Sequence, residues 1–113
     1  MKKGVQMKNK RKWNRRSYFA RKNIKYKRNK NNHPVYVYSA SNDLRKYLVF
    51  THTPEKGKED NFEKLNYNID PNDNKDCYVK KTYEVSNKES LIKPQKNYKI
   101  HDDDREIIKK YKK

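Results

Sequence analysis

The sequence lacks the features that several common protein classes require. Its single cysteine, Cys77, excludes an intramolecular disulfide and any cysteine-based zinc site, which agrees with a reducing cytoplasm. It contains no run of about 18 apolar residues, so no membrane-spanning helix is predicted. The basic N-terminal segment is not followed by an apolar core, so we expect no secretory signal. We therefore expect a cytoplasmic protein that does not insert into membranes.

Apolar residues are scarce as well. Hydrophobic residues make up 31% of the 113-residue chain and charged residues 40%, a balance that leans toward disorder. Ten tyrosines nevertheless supply large side chains that a small core can bury. A chain of this length has room for one modest core, so we expect a single folded domain beside a part that does not fold.

Positive charge is concentrated at the N-terminus. Residues 1–32 contain 14 of the 31 Lys and Arg residues and none of the 14 Asp and Glu residues. Such a segment binds polyanions by neutralising phosphates and releasing counterions. We interpret residues 1–32, here called the basic arm, as a disordered nucleic-acid-binding segment, and residues 33–113 as the folded domain.

Several side chains are candidates for contacting a nucleic acid. Trp13 could stack on a base while neighbouring guanidinium groups hold phosphates; alternatively, the aromatic residues of the arm dock on the domain. The candidate contact residues in the arm are Arg11, Lys12, Trp13, Arg15, Arg16, Arg21, Lys22, Lys25, Lys27 and Arg28, and those in the domain are Lys80 and Lys81.

The segment from His33 to Thr53 predicts a β-hairpin. Aromatic and β-branched residues fill 34–38 and again 47–50, and the turn-forming residues 41–43 separate the two runs. Residues 62–70 and 77–85 alternate between apolar and polar and predict further strands, the second with Cys77, Val79, Tyr83 and Val85 facing inward.

The C-terminal sequence HDDDREIIKKYKK predicts a short helix capped by Asp102 or Asp103. Ile107, Ile108 and Tyr111 would form its buried stripe. The whole pattern predicts a mostly β fold, either a small barrel or a strongly bent antiparallel sheet, with a short C-terminal helix and the disordered basic arm.

Three segments resemble the MazF/PemK-like family of toxin endoribonucleases, and the likeness spans residues 33–113. HPVYVYS at 33–39 is similar to the family's first conserved strand, except that His33 stands where the family has arginine. KYLVFTHT at 46–53 resembles the next strand, which ends in a functional Thr or Ser. CYVKKTYEVSNKESL at 77–91 and YKIHDDDREIIKKY at 98–111 resemble the closing strand, linker and capping helix.

This resemblance implies an SH3-like barrel, a homodimer, an antitoxin partner, and cleavage of single-stranded RNA without a metal, by attack of the ribose 2′-OH on the adjacent phosphate. It implies that His33 or His52 acts as base or acid, that Arg45 clamps the phosphate, and that Thr51 or Thr53 hydrogen-bonds it. Structural roles are the alternatives: His33 as a strand cap and Arg45 as a solvated charge on a sheet edge.

The sequence therefore favours a nucleic-acid-binding protein, with RNA the preferred target and metal-independent RNA cleavage the activity implied by the resemblance. Two alternatives stay open. One is a non-enzymatic accessory protein of a phage or mobile element, for example an inhibitor of a host nucleoprotein defence complex such as an anti-CRISPR. The other is a ribosome-associated protein. No cofactor or metal is predicted, and the expected partner is a nucleic acid or a nucleoprotein complex.

Overall fold

The structure, a computed structural model, describes residues 18–19, 23–28 and 33–113. The prediction that the basic arm is disordered concerns residues that lie largely outside the described ranges. So do seven of its candidate contact residues: Arg11, Lys12, Trp13, Arg15, Arg16, Arg21 and Lys22.

The described part of the chain contains nine short strands and one helix. The strands are β1 (Tyr18–Phe19), β2 (Ile24–Lys27), β3 (Pro34–Ser41), β4 (Leu44–Thr51), β5 (Phe62–Lys64), β6 (Tyr78–Lys80), β7 (Glu84–Asn87), β8 (Leu91–Ile92) and β9 (Ile100–His101), and the helix is α1 (Arg105–Tyr111). Short 3₁₀ segments cover Glu59–Asn61, Lys88–Ser90 and Asp102–Asp104.

All strand pairs between described residues are antiparallel. The main sheet has the order β5-β6-β4-β3-β2-β8, β7 pairs with the first half of β4, and β1 pairs with β9. Within the described residues the sheet is bent but does not close, because β5 and β8 stand at opposite ends of the order. The prediction of a mostly β fold with a bent antiparallel sheet is confirmed, whereas the alternative of a closed barrel is not.

The predicted hairpin is confirmed as β3 and β4, which pair from Val35–Val49 to Ser41–Leu44. Asn42 in the turn has a φ of 55°, a left-handed conformation that Asn tolerates better than most residues. The antiparallel pairing sets the start of β3 beside the end of β4. His33 and Thr51 are therefore neighbours, which decides where the candidate site lies.

The folded domain begins before His33, earlier than predicted. Strand β2 lies between β3 and β8, and Ile24 is only 1% exposed. Its apolar residues alternate with lysines, so the charge pattern of the sequence indicates an arm rather than a strand. Lys25 and Lys27 consequently lie on a strand of the sheet, and the Arg28 Nε–H donates to the Glu89 carbonyl at 3.1 Å.

Strand β4 is buried on both faces, which makes it the centre of the fold. Its Leu48 and Phe50 point into the main core, which also contains Ile24, Val79, Ile100 and Ile108. Its Tyr47 and Val49 pack with Val35 in a second cluster on the opposite face. Successive side chains of a strand point to opposite faces, so one strand serves two hydrophobic layers.

The strand predicted at 62–70 ends at Lys64. Leu65 and Ile69 are buried as the alternation predicts, but the chain between them turns away. The reason is Asp104, whose carboxylate accepts hydrogen bonds from the backbone N–H groups of Asn66 and Tyr67. Those two donors are thereby bound to a side chain rather than to a neighbouring strand.

The strand predicted at 77–85 is divided into β6 and β7 by a bend at residues 81–83. Cys77 and Val79 are buried as expected, whereas the inward prediction is wrong for Tyr83 and Val85, which are 39% and 50% exposed. Val85 pairs with Lys46 toward the turn end of the hairpin, and the Tyr83 ring lies under the Lys46 ammonium group, 4.5 Å away.

The C-terminal helix is confirmed, with Ile108 buried and with Ile107 and Tyr111 packed against the core. Its predicted capping is wrong, because the turn that leads into α1 is capped by His101, whose Nδ1 accepts the backbone N–H of Asp103 at 3.0 Å. No helix within the described segments is long and apolar enough to cross a membrane.

Candidate functional site

A cleft of about 410 Å³ opens where β3 begins and β4 ends. This volume is within the range of small-ligand sites. The cleft brings together four of the five predicted catalytic residues: His33, Thr51, His52 and Thr53. The other described residues that line the cleft are Tyr26, Pro34, Phe50, Asn68, Ile69, Cys77 and Tyr98.

His33 stands at the mouth of the cleft, one residue before β3. Its backbone carbonyl accepts the N–H of Lys27 at 3.1 Å, which sets the lysine beside it. Burial lowers the pKa of the His33 imidazole, the positive charge of Lys27 lowers it further, and the negative charge of Glu84 offsets only part of this. The ring is therefore neutral at neutral pH and can accept a proton.

His52 follows the end of β4. Its charged neighbour is an acid, whereas that of His33 is a lysine. Its Nε2 lies 3.5 Å from a carboxylate oxygen of Asp73, and its Nδ1 lies 3.3 Å from the carbonyl oxygen of Asp76. The Asp73 carboxylate thus places a negative charge beside this imidazole. Sequence analysis missed Asp73, because in the sequence it is one of several acids in a turn.

The two threonines are not equivalent. The Thr51 hydroxyl donates to the Thr53 carbonyl at 3.1 Å and accepts the Thr53 N–H at 3.3 Å, so it closes a local turn. The Thr53 side chain is exposed, and its hydroxyl has no hydrogen-bond partner among the described residues. Of the two alternatives left open by the sequence, Thr53 is thus the better placed to bind a ligand.

The cleft has an aromatic wall that sequence analysis did not assign to the site. The hydroxyls of Tyr26 and Tyr98 lie 3.0 Å apart, and their rings meet edge to face. Cys77 also lines the cleft, but burial raises the pKa of its thiol to about 12. Because the thiolate is the reactive form, Cys77 serves as a wall and not as a nucleophile.

Arg45 is the one predicted catalytic residue that the structure does not bring to the cleft. It lies six residues before Thr51, near the opposite end of β4. Its guanidinium group donates to the carbonyls of Asn42 and Leu44, at 2.9 and 2.8 Å. Its interactions are therefore with the hairpin turn.

A second cavity of about 210 Å³ adjoins the cleft and shares His33, Thr51 and Thr53 with it. It contains two of the predicted nucleic-acid contacts, Lys27 and Lys80, and each lysine is ion-paired with Glu84 at 3.0 Å. Lys81 is exposed and lines neither cavity. No described residue lining the first cleft is a lysine or arginine.

No protein-family model, curated protein or solved structure matches this chain. Among the residues that the structure describes, no three His, Cys, Asp or Glu side chains converge in a way that could hold a metal ion. The geometry and charges of the cleft therefore carry the functional argument.

Proposed function

We propose that this protein binds single-stranded RNA and cleaves it in the cleft by metal-independent attack of the ribose 2′-OH. The observation that supports this proposal is the pair of histidines in one cleft with opposite charged neighbours, Lys27 beside His33 and Asp73 beside His52. Titratable groups with contrasting surroundings are the usual arrangement of an acid and a base.

In this proposal His33 is the base and His52 the acid. The neutral His33 ring takes the proton of the 2′-OH, whose oxygen then bonds to the adjacent phosphorus. The bond from phosphorus to the 5′-oxygen breaks, and that oxygen takes a proton from His52, whose positive charge Asp73 balances before transfer. The products are a 2′,3′-cyclic phosphate and a 5′-hydroxyl. The Thr53 hydroxyl, which has no hydrogen-bond partner among the described residues, donates to a phosphate oxygen.

Charge and aromatic content support RNA as the ligand. The chain carries a net charge of +17, which attracts a phosphate backbone, and Tyr26 and Tyr98 offer aromatic surface to a base. A cytoplasmic location, which the single cysteine favours, is part of the proposal, as are the antitoxin partner and the homodimer that the resemblance to the MazF/PemK-like family implies.

Cleavage is tested by incubating the purified protein with mixed RNA in EDTA and sequencing the fragment ends. We expect 2′,3′-cyclic phosphate ends, and a loss of about 100-fold or more in rate for His33→Ala and for His52→Ala, with unchanged melting temperatures. The rate should follow a bell-shaped pH profile whose acidic limb lies below the ordinary histidine pKa of about 6.5, since the pKa of His33 is lowered. Intact RNA at high protein excess would refute cleavage.

A second candidate function is nucleic-acid binding without catalysis, as in a phage or mobile-element inhibitor of a nucleoprotein defence complex, or a ribosome-associated protein. What favours it is the absence of Lys and Arg from the described lining of the cleft, together with the pairing of Lys27 and Lys80 to Glu84. Such a protein would leave RNA intact but bind it with steep salt dependence. Deleting residues 1–17, which spares β1 and β2, should flatten that dependence.

A further inference from the structure

We propose that the second cavity is a phosphate site that Glu84 keeps closed, and that a backbone phosphate of bound RNA displaces the Glu84 carboxylate from Lys27 and Lys80. The inference rests on the proposed RNA binding and specifies a further contact of the same strand. In this proposal Glu84 competes with the phosphate for the two lysines.

The two lysines converge on one point from different strands. Lys27 on β2 reaches one oxygen of the Glu84 carboxylate and Lys80 on β6 reaches the other, both at 3.0 Å. A carboxylate and a phosphate offer the same kind of charged acceptor oxygens to an ammonium group. The lysine pair is therefore already arranged around an anion.

The ion pairs are open to solvent on one side. The side chains of Lys27, Glu84 and Lys80 are 29%, 28% and 35% exposed, so an incoming anion can reach the lysines. Although burial raises the pKa of Glu84, the hydrogen bonds from Lys27 and Lys80 outweigh that effect, and its pKa is lowered. Glu84 is thus ionised at neutral pH and competes with any other anion at this point.

The two cavities form neighbouring parts of one groove, because His33, Thr51 and Thr53 line both. A strand whose scissile phosphate lies at His33 would present an adjacent phosphate to the lysine pair. A phosphodiester carries the same single negative charge as Glu84, so replacing the carboxylate with the phosphate leaves the net charge beside the two lysines unchanged. The site then opens for a strand held in the first cleft and discriminates against free anions.

Glu55 is the second carboxylate that lines this cavity, and it pairs with Lys58 on its own turn at 3.4 Å. It does not contact the lysine pair through any ion pair among the described residues. Glu84 is therefore the residue to change.

The test measures binding of a fluorescent, random-sequence 2′-O-methyl octanucleotide by anisotropy, because this probe has no free 2′-OH and cannot be cleaved. Glu84→Gln keeps the side-chain size and removes the charge, and should tighten binding about fivefold or more. The matched control Glu106→Gln removes the same charge from the exposed surface of α1 and should change affinity less than twofold. In a Lys80→Met background, Glu84→Gln should no longer tighten binding of the probe.

The outcomes separate the two proposals. If no variant binds the probe, RNA binding itself is wrong, and the phosphate site is wrong with it. If the wild-type protein binds but Glu84→Gln binds no better than Glu106→Gln, or keeps its gain in the Lys80→Met background, only the phosphate site is refuted. If Glu84→Gln does not fold, NMR of the wild-type protein tests the phosphate site instead. Adding the probe should shift the side-chain carboxyl ¹³C signal of Glu84 and not that of Glu106, and an unshifted Glu84 signal would refute the site.

Discussion

Asp104 is a buried acid whose replacement should destabilise the fold. It is fully buried, and its two carboxylate oxygens accept three hydrogen bonds: from the Asn66 backbone N–H at 2.7 Å, the Asn66 side-chain amide at 2.9 Å and the Tyr67 backbone N–H at 3.1 Å. These bonds tie the start of α1 to the segment that carries Leu65 and Ile69 into the core. We expect Asp104→Ala to be strongly destabilising.

The magnitude follows from the two backbone donors that the substitution leaves without an acceptor. A fully buried N–H left without an acceptor costs about 1–3 kcal/mol. Because Asn66 is exposed and Tyr67 is half-buried, water can reach these donors, and we take the lower part of that range, about 2–4 kcal/mol for the two. Burial raises the pKa of Asp104, which means that burying its charge has a cost that alanine removes. This offset brings the expected loss to about 2 kcal/mol, a substantial part of the 5–15 kcal/mol typical of a native protein.

The assay is urea unfolding followed by circular dichroism, with Asp103→Ala as the matched control. Asp103 is adjacent, and its side chain is 62% exposed, so its removal should cost less than about 1 kcal/mol. Asp104→Asn should fall between the two, because an amide keeps one acceptor oxygen but turns a donor toward the other N–H group. Equal stability of Asp104→Ala and Asp103→Ala would refute the reasoning.

Three further predictions test the fold and the site. Ile24→Ala should lower the free energy of unfolding by about 2–5 kcal/mol in urea titrations, since this side chain is 1% exposed in the core; a loss below 1 kcal/mol would contradict the placement of β2. Arg45→Ala should leave RNA cleavage and binding within about twofold, because its guanidinium bonds the hairpin turn; a loss near 100-fold would restore it as the phosphate clamp. The hydrogen bond from Tyr111 lowers the pKa of Glu63, so the stability that Glu63 contributes is present above its unfolded pKa of about 4.3 and is lost as the pH falls through its lower folded pKa. Melting curves from pH 7 to pH 3 should show a smaller acid loss for Glu63→Gln, and an unchanged profile would contradict this assignment.

The sequence predicted the parts of the fold that depend on local patterns. The hairpin, the burial of Leu65 and Ile69, and the terminal helix all follow from alternation, turn residues and helix-end charges. Because an antiparallel hairpin sets its first and last residues side by side, the same pattern also brought His33 and the 51–53 segment together at the cleft.

The parts that sequence analysis missed depend on partners far away in the chain. Asp73 and Asp104 stand in polar segments and Glu84 at a polar position of a predicted strand, where an acid is usually solvated. Their partners at His52, Asn66 and Lys27 lie 21, 38 and 57 positions away. The pairing of β2 was hidden for a related reason. Its two core side chains, Ile24 and Tyr26, are separated by Lys25, and the segment shares the charge of the arm that precedes it.

The same long-range pairing explains why two histidines at adjoining strand ends have different surroundings. His33 and His52 both flank the β3–β4 hairpin at its open end, and by local sequence either could be the base. Strand β2 brings Lys27 to the first, and the turn after Ile69 brings Asp73 to the second. The division of roles in the proposed reaction is therefore a property of the sheet order, since removing β2 from the edge of β3 would leave His33 without the charge that helps keep it neutral.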